Sequence, residues 1–165
     1  MTNSLPELTE AQCIFIIGSN TTENHPIAAK WVFRARAAGA KLIVIDPKWT
    51  PLVKFAQVWL RPRLGTDIAL LNGLIRIIID ENLIDNDFIR RRIEGSMEAF
   101  EELTKKILPY TADKVTEITG VSSSKLFAAA RLYANSERAL IATGMGISQQ
   151  ITGTHTVFAL INMCL

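Results

Sequence analysis

An α/β fold built on a parallel sheet is what this sequence predicts, and three observations predict it. Short apolar runs rich in Ile and Val occur at 13–17, 42–45, 58–60 and 139–143. Turn formers follow the first, second and fourth runs. The stretches between runs are long and carry apolar residues at helical spacing, where hairpins would need only short turns. Strands joined by helices run parallel through right-handed crossovers. The commonest doubly wound order for four such strands is 3-2-1-4, a three-layer, Rossmann-like, mostly parallel sheet.

Each element has its own signal. Ser4 followed by Glu7, with Pro6 in the first turn, is a capping box that opens a short helix carrying Leu5 and Leu8. The run 13–17 is continuous and Ile-rich, so both faces of that strand should be covered, and Gly18, Ser19 and Asn20 end it. Residues 24–26 mark a helix start, with Ile27, Trp31, Ala35 and Ala38 as the expected buried stripe and Gly39 as the stop. Asp46 and Pro47 halt the second strand, and Thr50 with Pro51 starts a short helix to about Ala56. After the third strand, a turn at 63–67 leads into a helix over 68–81, with Leu71, Leu74, Ile75 and Ile78 at helical spacing.

Four short helices are expected over 85–136, broken by Gly95, Pro109 and Gly120 and capped at Ser122, as a helical insertion before the last strand. Gly144 to Gly146 break that strand, and from Thr154 a helix should bury Val157, Leu160, Ile161 and Cys164. With no Gly stop, basic last turn or polar tail at Leu165, the sequence predicts that the natural chain continues. Residues 1–165 read as a single domain without repeats or linkers.

Composition narrows the function. With 48% hydrophobic and 21% charged residues the chain is no disordered segment. A net charge of +2 gives no dedicated surface for nucleic acid or anionic membrane. Cys13 and Cys164 form no CxxC pair, so neither a zinc ribbon nor a disulfide framework is expected, and a cytoplasmic, reducing setting follows. Apolar runs fall far short of the ~20 residues that span a bilayer, and the N-terminus lacks the pattern of a secretory signal.

The predicted order places the first strand beside the fourth. The loops leaving them, 18–24 and 144–149, should then meet at the switch point where open parallel sheets bind ligands. Glycine there allows close backbone approach, and the helix after Asn24 offers free N–H groups to an anion such as a pyrophosphate. Asp46 closes the second strand where such sheets place an acid for ribose hydroxyls, so a nucleotide is the expected ligand class. Gly18-Ser19-Asn20 supplies one glycine where the NAD fingerprint needs three, which disfavours NAD. Gly65, Thr66 and Asp67 form a third helix-start site on the same edge, where Asp67 either reads a base or caps the helix.

Plainer readings stand beside these. Gly18 can simply end a strand and Asp46 cap a turn. His25 and His155 read as packed histidines without a catalytic partner, Arg90 to Arg92 as a solvated helix face, and Cys13 as a small core residue.

Five ordered blocks carry a family resemblance: IIGSNTTENHP (16–26), AKLIVIDP (40–47), LGTDIALLNGLIRIIIDENLID (64–85), EITGVSS (117–123) and ATGMGISQQITGT (142–154). Together the chain resembles a central portion of the molybdopterin oxidoreductase family, and within it the catalytic alpha subunits of formate dehydrogenases. The resemblance implies a bis(molybdopterin guanine dinucleotide) cofactor holding molybdenum or tungsten, and oxidation of formate to carbon dioxide. By matching position, Gly18, Ser19, Asn20 and Glu23 resemble the loop beside one guanine dinucleotide. Asp46 and Lys48 resemble its ribose and phosphate contacts, and Gly65, Thr66 and Asp67 the segment that recognises guanine. Gly144, Met145, Gly146 and Gln149 resemble the loop approaching the pterin end. Lys48 stands where family members often have Arg, which removes a bidentate fork. No catalytic residue and no metal ligand is expected from this chain. The 4Fe-4S cluster ligands and the Cys or selenocysteine metal ligand would come from elsewhere in the subunit, which would be the chain's main partner beside electron-transfer subunits. The alternatives are a nitrate reductase, a homologous large subunit of NADH dehydrogenase, or a non-redox nucleotide-binding module such as the central domain of a thiamine-diphosphate enzyme.

Overall fold

The computed structural model describes residues 3–92 and 96–165, so the helix break expected at Gly95 lies outside the described residues. Four strands, β1 (Cys13–Ile17), β2 (Lys41–Ile45), β3 (Val58–Leu60) and β4 (Ala139–Thr143), form one sheet in the order β3-β2-β1-β4. Every pairing is parallel, with Cys13 level with Lys41 on one side and Ala139 on the other. The predicted order and strand positions are therefore those observed.

All five residues of β1 are buried, as a continuous apolar run demands of a strand covered on both faces. Side chains alternate between faces. Phe15, Ile17, Ile43, Ile45 and Leu60 join one core, while Ile14, Ile16, Leu42 and Val44 join the other. The second core is closed by the 3-10 helix Leu5–Glu10, by α2 (Pro26–Ala37) and by the 3-10 helix Pro51–Phe55. The capping box forms: the Glu7 carboxylate accepts from the Ser4 amide at 3.0 Å and from its hydroxyl at 2.6 Å.

The first core lies under α3 (Asp67–Asp80), α6 (Ala112–Thr119), α7 (Ser123–Ala134) and α9 (Gly153–Cys164). Between α3 and α6 come α4 (Asn86–Arg92) and α5 (Ser96–Ile107), so the four helices expected over 85–136 are present. Gly120 ends α6 at φ +76°, a left-handed position that favours glycine. Two one-turn helices, α1 (Thr21–Asn24) and α8 (Met145–Ser148), follow β1 and β4 and were expected only as loops.

Two helix faces differ from expectation. α2 buries Ala29, Val32 and Ala35, whereas Ile27 is 66% exposed and Ala38 is exposed. Trp31 lies half-buried with the Arg34 guanidinium 4.6 Å from its ring centre. The inward face of α2 packs beside the 3-10 helix Leu5–Glu10, and Val32 and Ala35 join the core with Leu8 and the strand residues. α9 turns Thr156, Ala159, Leu160 and Met163 inward and leaves Phe158, Ile161 and Cys164 outside. That face is chosen by α3, against which α9 packs. Among the described residues no helix is long and apolar enough to cross a membrane.

Candidate functional site

The C-terminal ends of the four strands share one edge of the sheet, and the expected site residues collect along it. β1 is followed by Gly18 at φ +60°, and the Gly18 amide donates to the Ile45 carbonyl at 3.0 Å. From the neighbouring β4 end, the Gly144 amide donates to Ile17 at 3.2 Å and the Gly146 amide to Gly18 at 3.0 Å. The two glycine loops meet as expected, but backbone against backbone. A Cβ on Gly144 would lie 2.5 Å from the Gly18 oxygen. Absence of side chains here is thus required first by the loops' contact with each other.

After Gly18 the chain folds on itself. Ser19 and Thr21 hydroxyls pair at 3.0 Å in a buried position, and the Asn20 side-chain amide donates to Glu23 at 2.6 Å while its oxygen accepts from Thr22 at 3.2 Å. The helix start expected after Asn24 is where α2 begins. α1 stands between the Gly18 turn and α2, and α2 begins at Pro26, which has no N–H to offer.

β2 hands over to Asp46, whose carbonyl accepts from the Trp59 indole at 3.0 Å and whose carboxylate accepts from the Lys48 amide at 2.8 Å. Asp46 therefore does shape the turn, and that bond takes one oxygen only. Burial raises its carboxyl pKa above the usual 3.8; the Lys48 N–H and the Lys48 charge oppose this, and the charge of Asp67 adds to it.

Gly65 adopts φ +76°, Thr66 caps α3 without a side-chain bond to it, and the Thr66 hydroxyl donates instead to Arg63 O at 2.7 Å. Asp67 is the first helical residue, 9% exposed, and does not serve as the N-cap. Its carboxylate accepts from the Gln150 side chain at 3.4 Å. Met145 is 64% exposed and Gln149 is exposed, its amide bonded to Met145 O at 2.9 Å.

Two residues at this edge escaped sequence reasoning. Gln150 reaches Asp67 where Gln149 does not, and adjacent glutamines in one loop carry no signal that separates them. Arg61, one residue past β3, donates from Nε to Pro47 O at 3.0 Å and stacks 5.8 Å from the Trp59 ring centre, bringing a second cation to the Lys48 turn. A cation just past a parallel strand was a legible signal.

The remaining candidates lie elsewhere. His25 is exposed and not packed, His155 is exposed, and Arg90 to Arg92 form the solvated face expected. Cys13 is fully buried, with its thiol pushed up to about 11 by that burial against a bond from Ser136. Among the described residues no cluster of His, Cys, Asp and Glu could hold a metal ion. The edge combines the carboxylates of Asp46 and Asp67 with the cations of Lys48 and Arg61.

The molybdopterin oxidoreductase family model matches residues 1–165. The F420-dependent formate dehydrogenase subunit alpha of Methanocaldococcus jannaschii is 44% identical over the whole chain, which covers 24% of that protein. The assimilatory nitrate reductase catalytic subunit of Bacillus subtilis is 37% identical, again over the whole chain and 23% of the relative. Among solved structures, acetylene hydratase from Pelobacter acetylenicus superposes with a TM-score of 0.85 at 30% identity, over 96% of this chain and 23% of that one. The chain spans about a quarter of the length of the curated relatives it matches.

Proposed function

The chain belongs to the molybdopterin oxidoreductase family, and from that premise we propose that it is a cofactor-gripping part of a formate dehydrogenase alpha subunit. In this reading the sheet edge holds the nucleotide end of a bis(molybdopterin guanine dinucleotide) cofactor carrying molybdenum or tungsten. When bound, that group supplies the two-electron chemistry by which formate becomes carbon dioxide. This chain's own residues bind and orient. Asp67 accepts from the guanine N–H donors, Asp46 from ribose hydroxyls, and Lys48 with Arg61 faces phosphate. Ser19, Asn20 and Glu23 line one flank of the nucleotide, and Met145 with Gln149 faces the pterin side. The 4Fe-4S cluster and the metal ligand belong to other parts of the subunit, electron-transfer subunits complete the assembly, and the protein works in the cytoplasm. The 165-residue chain alone is inactive.

The single observation that carries this is Asp67: a carboxylate only 9% exposed, not used as a helix cap, with one long hydrogen bond among the described residues. A buried carboxylate so poorly supplied with donors suits a ligand rich in N–H groups. Calorimetric titration tests it: GDP should bind, and Asp67→Ala should weaken it about tenfold, the loss of one charged hydrogen-bonded contact. Equal binding of GDP by both proteins would overturn the reading, as would formate-dependent dye reduction by the 165-residue chain. The 37% identity to a nitrate reductase supports a second reading with the same cradle and another substrate. Assaying the subunit that contains this stretch with formate and with nitrate separates the two.

A further inference from the structure

One side chain links three of the loops at the sheet edge. The Gln150 amide nitrogen donates both to the Gly146 carbonyl and, at 3.4 Å, to Asp67 Oδ2. Gly146 in turn donates to Gly18 at 3.0 Å. A hydrogen-bonded path therefore runs from the end of β1 through the loop after β4 to the first turn of α3. The charge of Asp67 also helps raise the Asp46 pKa, so two like charges share this edge.

Resting on the guanine reading above, we propose that Gln150 is a positioning residue that sets the base preference of the site by fixing the Asp67 carboxylate. With Oδ2 held by Gln150, the Asp67 carboxylate keeps one orientation and presents its remaining acceptor capacity to the base. Guanine offers N1–H and a 2-amino group side by side, a donor pair that a fixed carboxylate accepts together. Hypoxanthine offers N1–H alone. Adenine presents an acceptor at N1, which a carboxylate repels. Preference should thus fall from guanine to hypoxanthine to adenine, and the fall should depend on Gln150.

The test is calorimetric titration of GDP, IDP and ADP against the wild-type protein, Gln150→Leu and the isosteric Gln150→Glu, with circular dichroism to verify the fold of each. Gln150→Leu should weaken GDP about threefold, less than loss of the Asp67 carboxylate because the 3.4 Å bond is a weak one, while ADP stays unchanged. Gln150→Glu removes the donor without a change of shape and adds a third carboxylate, so GDP should weaken further. A merely structural role would weaken GDP and ADP by the same factor, and that result, or unchanged GDP binding in both variants, overturns the proposal. A wild-type protein that binds GDP no better than ADP would instead defeat the guanine reading itself, and this inference with it.

Discussion

The Gly146 amide donates to the Gly18 carbonyl across 3.0 Å, which joins the loops leaving β4 and β1 at the β4 end of the sheet edge. A Cβ at position 146 would lie 2.8 Å from that oxygen and one at 144 only 2.5 Å. Backbone cannot give way as a side-chain tip can, so Gly144→Ala and Gly146→Ala should each force the loops apart. Each should destabilise the chain by about 1–3 kcal/mol, a drop of about 2–4 °C per kcal/mol at this size. Thermal unfolding followed by circular dichroism checks it, and wild-type melting would show that the contact is dispensable.

Gly73, inside α3, faces Val115 of α6, whose Cγ2 would lie 2.6 Å from an added Cβ. In an exposed helix interior Gly→Ala gains about 1 kcal/mol. Here the sign should reverse, because α3 and α6 would separate. Gly73→Ala combined with Val115→Ala should recover part of the loss, a coupling that a double-mutant cycle in urea measures.

Asp46 gives a pH dependence. Its folded pKa is raised, chiefly by burial, so the folded chain holds this proton more tightly than the unfolded one. Stability from this group is present below the unfolded value and falls as pH rises from there through the raised folded value. Asp46→Asn should accordingly raise the melting temperature at about pH 7 and leave it unchanged near pH 3. A stabilisation that persists into acid would show that charge is not the cause.

Lys48 and Arg61 flank the turn after β2, with Arg61 anchored on Pro47 O at 3.0 Å. If this pair meets phosphate, Lys48→Arg should add a bidentate fork and tighten GDP about threefold while leaving guanosine unchanged. Parallel titrations with the two ligands read the difference. Equal effects on both would place Lys48 away from phosphate.

The two thiols should be told apart by a thiol-reactive dye. Cys13 is fully buried with its thiol pushed up to about 11, while Cys164 is exposed, its thiol raised by partial burial and eased by a bond to Tyr133. One equivalent should react slowly in the folded chain and a second only on unfolding. Two fast equivalents without denaturant would show that β1 opens readily.

What was legible in the sequence was local. The Ile-rich run at 13–17 fixed a strand buried on both faces, Pro47 and Gly39 punctuated the crossovers, and long helical connections required parallel strands. From these the order 3-2-1-4 followed, and with it the gathering of Gly18, Asp46, Asp67 and Gly146 along one edge. Tertiary packing decided the rest, because those choices depend on neighbours distant in the chain. Hydrophobicity favoured Ile27 and Trp31 for the inner face of α2, but packing beside the 3-10 helix Leu5–Glu10 and the core it closes buried Ala29, Val32 and Ala35 instead. Asp67 carries the same side chain whether it caps α3 or faces a ligand. Only the fold, by leaving the cap to Thr66 and bringing in Gln150 from 83 residues away, settled that the carboxylate does not cap its helix.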